Sequence, residues 1–400
     1  MKLETESIKN ILTLRYDPLQ TPVLPKKNNI HFQGINENPS LEKIESMMET
    51  YLQKTIDLQN PKFSISLSGG VDSTLVLALL RKTFPDSQID AVSIKFANSV
   101  DETKDAAKIA EFFNAEHHIL EIDNYLEKLP SALNCIKLPF WDIHWFYVAE
   151  YAQKFSKFLA SGDGGDEVFG GYTFRYQKFL QLINNNSTPL EKTKAYLDCH
   201  ERDRVPDQSK LFGDGCKFSW DDIYKSLSPY FDNELLPLEQ VFLADYNGKL
   251  LYNFSLVNNR IAKKFDLKLI TPLLFKDLVD YSLPMTIQTK YDQKSNVGKL
   301  MLRKILKKYN VDSLISKEKL GFNVNTINLW KTYGHEFCTN YLLDGEILQK
   351  KWISKEWMIE HINKTDLDIK YVNKFLGLLA LEIWHRLFIT KTMKPNMCLK

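Results

Sequence analysis

The chain has 400 residues, with 52 Lys and Arg against 50 Asp and Glu, for a formal net charge of +2. Its 44% hydrophobic and 26% charged residues suit a globular protein with a sizeable core, and the near balance of charge excludes a strongly basic nucleic-acid binder or an acidic disordered tail as its main theme. No apolar run reaches the roughly 18 residues that cross a bilayer, the opening MKLETESIKN lacks a signal-peptide core, and the scattered Cys135, Cys199, Cys216, Cys338 and Cys398 form neither a disulfide framework nor a CxxC metal site, so the expectation is a cytoplasmic enzyme or binding protein.

Pro18, Pro22 and Pro25 punctuate LRYDPLQTPVLP, which therefore cannot be one helix. LEKIESMMETYLQKTI follows with apolar residues at helical spacing, among them Leu41, Ile44, Met48 and Ile56. A regular alternation comes next. KFSISLS reads as a strand, VDSTLVLALLRKTF as a buried helix and IDAVSIKF as a strand. DETKDAAKIAEFFN then reads as an amphipathic helix, HHILEI as a strand, WFYVAEYAQKF as a helix and KFLAS as a strand. Strands alternating with helices predict an α/β fold with a parallel sheet and right-handed crossovers. Beyond about residue 172 the segments become longer, polar and helical. The expected division is an N-terminal extension and helix at 1–56, an α/β core at 57–175 and a mostly helical lobe at 176–400, with no internal repeat or low-complexity tract.

Two segments carry chemistry. SLSGGVDSTLV, at 66–76, lies between a strand and a helix. Adjacent glycines let the backbone turn and aim N–H groups at an anion, and a helix N-terminus adds a favourable dipole. Ser68 and Ser73 add hydroxyls, while Asp72 beside phosphate makes sense with an accompanying cation. The pattern is neither a Walker A loop nor GxGxxG, and a merely capped glycine turn leaves the cluster of Asp and Ser unexplained. FLASGDGGDEVFGGYTFRY, at 158–176, places Asp163, Asp166 and Glu167 on a glycine loop at the end of another strand, which suits Mg²⁺ held against polyphosphate. His117 and His118 begin a strand, where neighbours face opposite ways, and read as ordinary strand residues.

SGGVDS at 68–73 resembles the SGGxDS signature of PP-loop ATP pyrophosphatases, and SGDGGDEVFGGY at 161–172 resembles SGxGxDExFxGY of asparagine synthetases. GKLMLRKIL resembles that family's KxxLR helix, with Lys299 and Arg303 a turn apart. KEKLGFNVN resembles its lysine-glycine-phenylalanine segment, and LLALEIWHRLF its last core helix, in which Trp384 is read as packing. The resemblance implies a PP-loop sheet completed by a helical lobe, and a ligase that joins a carboxylate to AMP with loss of pyrophosphate and then transfers ammonia or an amine. It implies ATP and Mg²⁺ as cofactors. Leu67 and Ile94 would frame adenine. Ser68, Gly69, Gly70 and Ser73 would hold the phosphates, with Ser161 and Gly162 also on the nucleotide and Lys319 near pyrophosphate. Asp72 and Asp166 would ligate the metal, and Asp163 and Lys299 would be catalytic. Asp142, in LPFWDIHW, and Arg260 are weaker expectations for substrate contact, Asp142 having a helix cap as its alternative role.

The sequence also departs from that family. Lys2 stands where the glutamine-hydrolysing members carry a nucleophilic cysteine, and 13–25 resembles the segment that follows their glutaminase domain. The expectation is a synthetase without that domain, using free ammonia, a separate glutaminase subunit or another amine. In NNRIAKKFDLKLITPLLFKD, Asn259, Lys268, Ile270 and Phe275 replace family Asp, Glu, Arg and Asp. Aspartate is the first expected substrate, and another carboxylate, as in peptide-cyclising or sugar-acid relatives, is the alternative. Nucleic acid and membrane are not expected partners; a homo-oligomer is left open.

Overall fold

The computed structural model describes residues 3–96, 101, 103–315, 324–364 and 366–400. Helices α1 (Thr5–Leu14) and α2 (Leu41–Thr55) precede the alternating region. That region runs β1 (Phe63–Ser66), α3 (Val71–Thr83), β2 (Ile89–Phe96), α4 (Thr103–Phe112), β3 (Glu116–Ile122), α5 (Leu129–Ile136), α6 (His144–Ala152) and β4 (Phe158–Ala160). The short α7 (Gly165–Phe169) and α8 (Thr173–Leu182) lead into the helical region. Within it lie α9 (Leu256–Lys264), strand β5 (Lys268–Ile270), a two-stranded ribbon of β6 (Tyr291–Asp292) and β7 (Val297–Gly298), α10 (Leu300–Lys307) and α11 (Ile369–Phe388).

Five strands form a parallel sheet in the order β3-β2-β1-β4-β5. The expected parallel α/β architecture is therefore present, with one addition to the sheet: β5 comes from the segment expected to be mostly helical. Its three residues pair with Phe158, Leu159 and Ala160 of β4. Cross-strand bonding, not local preference, makes so short a segment a strand.

Both sheet faces are covered, which is why the strands are rich in apolar residues. Phe63, Ile65 and Leu67 pack with Ile44 and Met48 of α2, Leu75 and Leu79 of α3 and Ile305 of α10. Val92, Ile94 and Leu159 pack on the opposite face with Leu133 of α5, Val148 of α6, Ile11 of α1 and Leu379 of α11. Helix α11 is buried along most of its length, and the Trp384 indole N–H donates to the Lys137 carbonyl at 3.0 Å from a fully buried position. No helix among the described residues is long and apolar enough to cross a membrane.

Strand order positions the site. β1 and β4 are neighbours in the sheet but are separated in sequence by two further strands. The chain leaves β1 towards one flank and β4 towards the other, so their carboxyl ends flank a crevice, the usual ligand position in an open α/β sheet. Both glycine loops lie there.

Candidate active site

The loop after β1 is organised by its own polar groups. The Ser73 hydroxyl accepts from the Ser68 N–H at 3.3 Å and lies 3.2 Å from the Ser68 hydroxyl. The Gly70 N–H donates to Ser68 Oγ at 3.4 Å, and Gly69 takes φ +73°, a conformation glycine adopts without Cβ strain. Helix α3 starts at Val71, so Asp72 stands in its first turn and Ser73 just behind. Leu67 is fully buried at the end of β1, its N–H donating to the Val92 carbonyl at 3.0 Å. Ile94 lies on adjacent β2 and is buried.

The loop after β4 closes against this one. Ser161 is buried, and its N–H extends the sheet by donating to the Ile270 carbonyl at 3.0 Å. Gly162 is required by proximity: a Cβ there would lie 2.6 Å from the Asp72 Cβ and 2.7 Å from the Ser73 nitrogen. Asp166 follows in α7, and Gly171 ends the loop with its N–H donating to the Asp166 carbonyl at 2.9 Å.

Lys299 joins the two loops. Its ammonium pairs with Asp72 Oδ2 and lies 2.8 Å from Asp166 Oδ1. The sequence places Lys299 and Arg303 a turn apart on a helix face. In the structure Lys299 is instead the cap residue before α10, at φ +57°. This left-handed turn is sustained by its N–H bond to the Phe169 carbonyl at 3.2 Å and by the two carboxylates. Burial works against the Lys299 charge, yet Asp166 and Asp72 outweigh it and raise the lysine's affinity for its proton. The side chain of Arg303 turns back on the loop, its Nε donating to the Gly298 carbonyl at 3.1 Å.

Asp72 and Asp166 bring carboxylate oxygens from two loops to one point. The close packing of Gly165 on the Asp72 carboxylate, and of Gly171 on that of Asp166, leaves no room for a Cβ at either glycine. Hard oxygen donors so arranged fit Mg²⁺. A different set, Asp90, Glu116 and His118, is the one cluster of three or more such metal-ligand side chains among the described residues. It lies at the opposite, amino-terminal end of β2 and β3. There His118 Nε2 meets Asp90 Oδ1 at 2.8 Å and the ring stacks on Phe155, as in an ordinary buried His–Asp pair.

Asp163 faces a separate set of groups. Asn258 of α9 donates to its Oδ2 at 2.8 Å, and its own N–H reaches Ser161 Oγ at 3.5 Å. Burial raises its proton affinity, opposed by the Asn258 and Ser161 bonds and by the charge of His144. Asn258 was not singled out from sequence, although it adjoins the Asn259–Arg260 pair that was. Its signal is one of fold: α9 leads directly into β5, the neighbour of β4. Arg260 itself points elsewhere, with Nη1 donating to the Ile136 carbonyl at the end of α5 at 2.6 Å. Asp142 accepts from the Tyr125 hydroxyl at 2.8 Å, lies 2.9 Å from His144 Nδ1 and pairs with Arg15 at 3.4 Å. Lys319 lies outside the described residues.

The asparagine synthase family profile matches residues 52–386. The chain is 22% identical over 365 residues to asparagine synthetase [glutamine-hydrolyzing] 1 of Bacillus subtilis, covering 82% of this chain and 57% of that protein. It is 38% identical over 142 residues to a putative asparagine synthetase [glutamine-hydrolyzing] 2 of Methanocaldococcus jannaschii, covering 32% of this chain and 27% of that protein. Over 92 residues it is 33% identical to the NH(3)-dependent NAD(+) synthetase of Carboxydothermus hydrogenoformans, covering 23% of this chain and 37% of that one. The chain thus spans 57% of the first of these relatives and less of the other two.

Proposed function

The chain belongs to the asparagine synthase family, and we propose that it is an ATP-dependent, AMP-forming amide ligase. Aspartate is the first-choice carboxylate, and ammonia or an amine supplies the nitrogen. The observation that carries this reading is the Lys299 ammonium set between Asp72 and Asp166, where the two glycine loops meet at the sheet's switch point.

In the first step a substrate carboxylate oxygen bonds to the α-phosphorus of ATP as the bond to pyrophosphate breaks. In the second, nitrogen bonds to the acyl carbon and AMP leaves. Positioning and charge stabilisation supply most of the rate in such transfers. The N–H groups around Gly69 and Gly70, with the Ser68 and Ser73 hydroxyls, hold phosphate oxygens. Lys299 faces the negative charge that grows there. Asp72 and Asp166 would hold Mg²⁺, which when bound would offset the negative charge of the polyphosphate. Asp163 accepts the proton that the attacking nitrogen releases, and its raised proton affinity matches that task. Leu67 and Ile94 form an apolar edge for the adenine. In this reading 1–56 is an accessory segment, and the nitrogen arrives as free ammonia, as another amine or from a glutaminase subunit.

ATP–pyrophosphate exchange across a panel of carboxylic acids tests the proposal. Exchange with aspartate supports the first-choice substrate. Exchange with another acid but not with aspartate moves the reading to a related synthetase, which the altered 258–277 stretch favours. No exchange with any acid overturns it.

A further inference from the structure

The first peptide of the phosphate loop is held from outside the loop. In the plane that joins Leu67 to Ser68, the Ser68 N–H donates to Ser73 Oγ at 3.3 Å. On the opposite side the Leu67 carbonyl accepts from the Ser93 hydroxyl of β2 at 2.7 Å. Ser93 is buried. Its hydroxyl has one proton, and that proton is directed at Leu67, so His117 Nε2, 2.8 Å away, donates to Ser93 Oγ. His117 lies on β3 opposite Ala91, which puts its ring on the sheet face that Ala91 and Ser93 share. Burial and the neighbouring His118 lower its proton affinity, so it serves as a neutral imidazole with the proton on Nε2. Read from sequence as an ordinary strand residue, His117 instead fixes the direction of a serine hydroxyl.

That hydroxyl stops the sheet one rung early. The ladder between β1 and β2 closes with Ser66 opposite Val92, the Leu67 N–H donating to the Val92 carbonyl at 3.0 Å. A further rung would set the Ile94 N–H on the Leu67 carbonyl, the acceptor that Ser93 takes. Backbone groups of a strand repeat their direction every second residue, so Ile94, like Val92, aims its N–H and C=O towards β1. The chain of β1 has by then turned into the glycine loop at Gly69. Ile94 therefore presents a donor and an acceptor side by side, next to the start of the phosphate loop.

We propose, resting on the ligase reading, that Ser93 and His117 are positioning residues for the nucleotide base. By holding the Leu67 carbonyl off the Ile94 backbone, they keep open a donor–acceptor edge that selects adenine over guanine.

The chemistry of the two bases sets the direction of the selection. The pairing edge of adenine offers a ring-nitrogen acceptor beside an amino donor, which matches an N–H and a C=O. Guanine offers the reverse, a ring N–H beside a carbonyl oxygen, so donor would meet donor and acceptor would meet acceptor. Sites built to hydrogen-bond a ligand reject one that leaves their polar groups unpaired. Removing the Ser93 hydroxyl frees the Leu67 carbonyl to accept from the Ile94 N–H. The ladder then gains a rung and the base loses its donor. The phosphate loop keeps its own bonds among Ser68, Gly70 and Ser73.

Calorimetric titration of the full chain with ATP, GTP and inorganic triphosphate, each with magnesium, decides the matter. Wild-type protein is expected to bind ATP at least ten-fold tighter than GTP. In S93A, ATP binding should weaken about ten-fold and triphosphate binding less than three-fold, and the preference for ATP over GTP should shrink with the first. S93T returns a hydroxyl and should restore ATP binding to within three-fold of wild type. H117A leaves the hydroxyl in place but unaimed, and it serves where S93A does not fold: ATP binding should weaken at least three-fold with triphosphate unmoved. Equal loss of ATP and triphosphate makes the pair a support of the loop alone and overturns the proposal, as does ATP binding unchanged in both variants. Failure of the ligase reading is separable. A wild-type chain that selects ATP over GTP but supports no pyrophosphate exchange sinks that reading and leaves this one standing. A chain that binds ATP no tighter than GTP overturns this one whatever the exchange shows.

Discussion

The phosphate half and the nitrogen half of this site are held together by different means. In the first, one buried ammonium joins two carboxylates carried by loops of consecutive residues, 66–73 and 161–171. In the second, Asp163 is held by a neutral amide from α9, and earlier in the chain Asp142, which pairs with His144, is held by Tyr125 from beyond β3 and Arg15 from the end of α1. The first half concentrates charge where polyphosphate charge must be met. The second spreads weaker contacts over distant segments, so that one carboxylate can change protonation during turnover. A concentrated ion triad should fail abruptly when broken, and a distributed one by degrees.

The sharpest break is Lys299→Met. It leaves the Asp72 and Asp166 carboxylates facing each other without their shared cation. Pyrophosphate exchange should fall by about 10²–10³-fold, as when a group stabilising transition-state charge is removed. The fold should lose about 3–5 kcal/mol, the cost of stranding buried charge, read by denaturant unfolding. Exchange kept within three-fold would show that the triad serves structure alone. Gly171→Ala comes next. A Cβ there has no space beside Asp166 and the Lys299 side chain. Forcing these groups apart should cost about ten- to a hundred-fold in exchange, because small displacements of positioned groups are expensive.

Asn258→Ala probes the other half. Losing one donor to the Asp163 carboxylate removes about 1.5 kcal/mol of interaction, so amide formation should fall about ten-fold while exchange changes little. If both half-reactions fall together, the two halves are less separate than their contacts suggest.

This contrast also explains what was legible in the sequence. The phosphate half is written in contiguous residues, and SGGVDS and SGDGGDEVFGGY point to its location unaided. The alternating strands and helices were equally clear, β2 coinciding with IDAVSIKF. Helix α1 was not singled out, although Ile8, Ile11 and Leu12 stand at helical spacing; packing then buries nearly all of it, Lys9 and Asn10 included. Strand β5 is too short to stand out and exists by pairing with β4. The left-handed turn at Lys299 is unfavourable for a residue with a Cβ, so only the loops around it could reveal it. Asn258 meets Asp163 through the fold, and no local spacing announces it.

Arg260→Ala should have the smallest effect, and it tests where the nitrogen half ends. Arg260 follows Asn258 by two residues on α9, so a substrate role would extend the site along that helix. Residues two apart on a helix do not share a face, and the guanidinium accordingly donates to the Ile136 carbonyl, while the Cys135 thiol donates to the Arg260 carbonyl at 3.3 Å. Both contacts tie α9 to α5 and not to Asp163. Truncation should therefore cost about 1 kcal/mol of stability and leave exchange and amide formation within three-fold of wild type. A rise of ten-fold or more in KM for the carboxylic acid, with stability unchanged, would place Arg260 on the substrate. The nitrogen half would then continue down α9 as a cationic acceptor pocket, with a charged group serving both halves of the site.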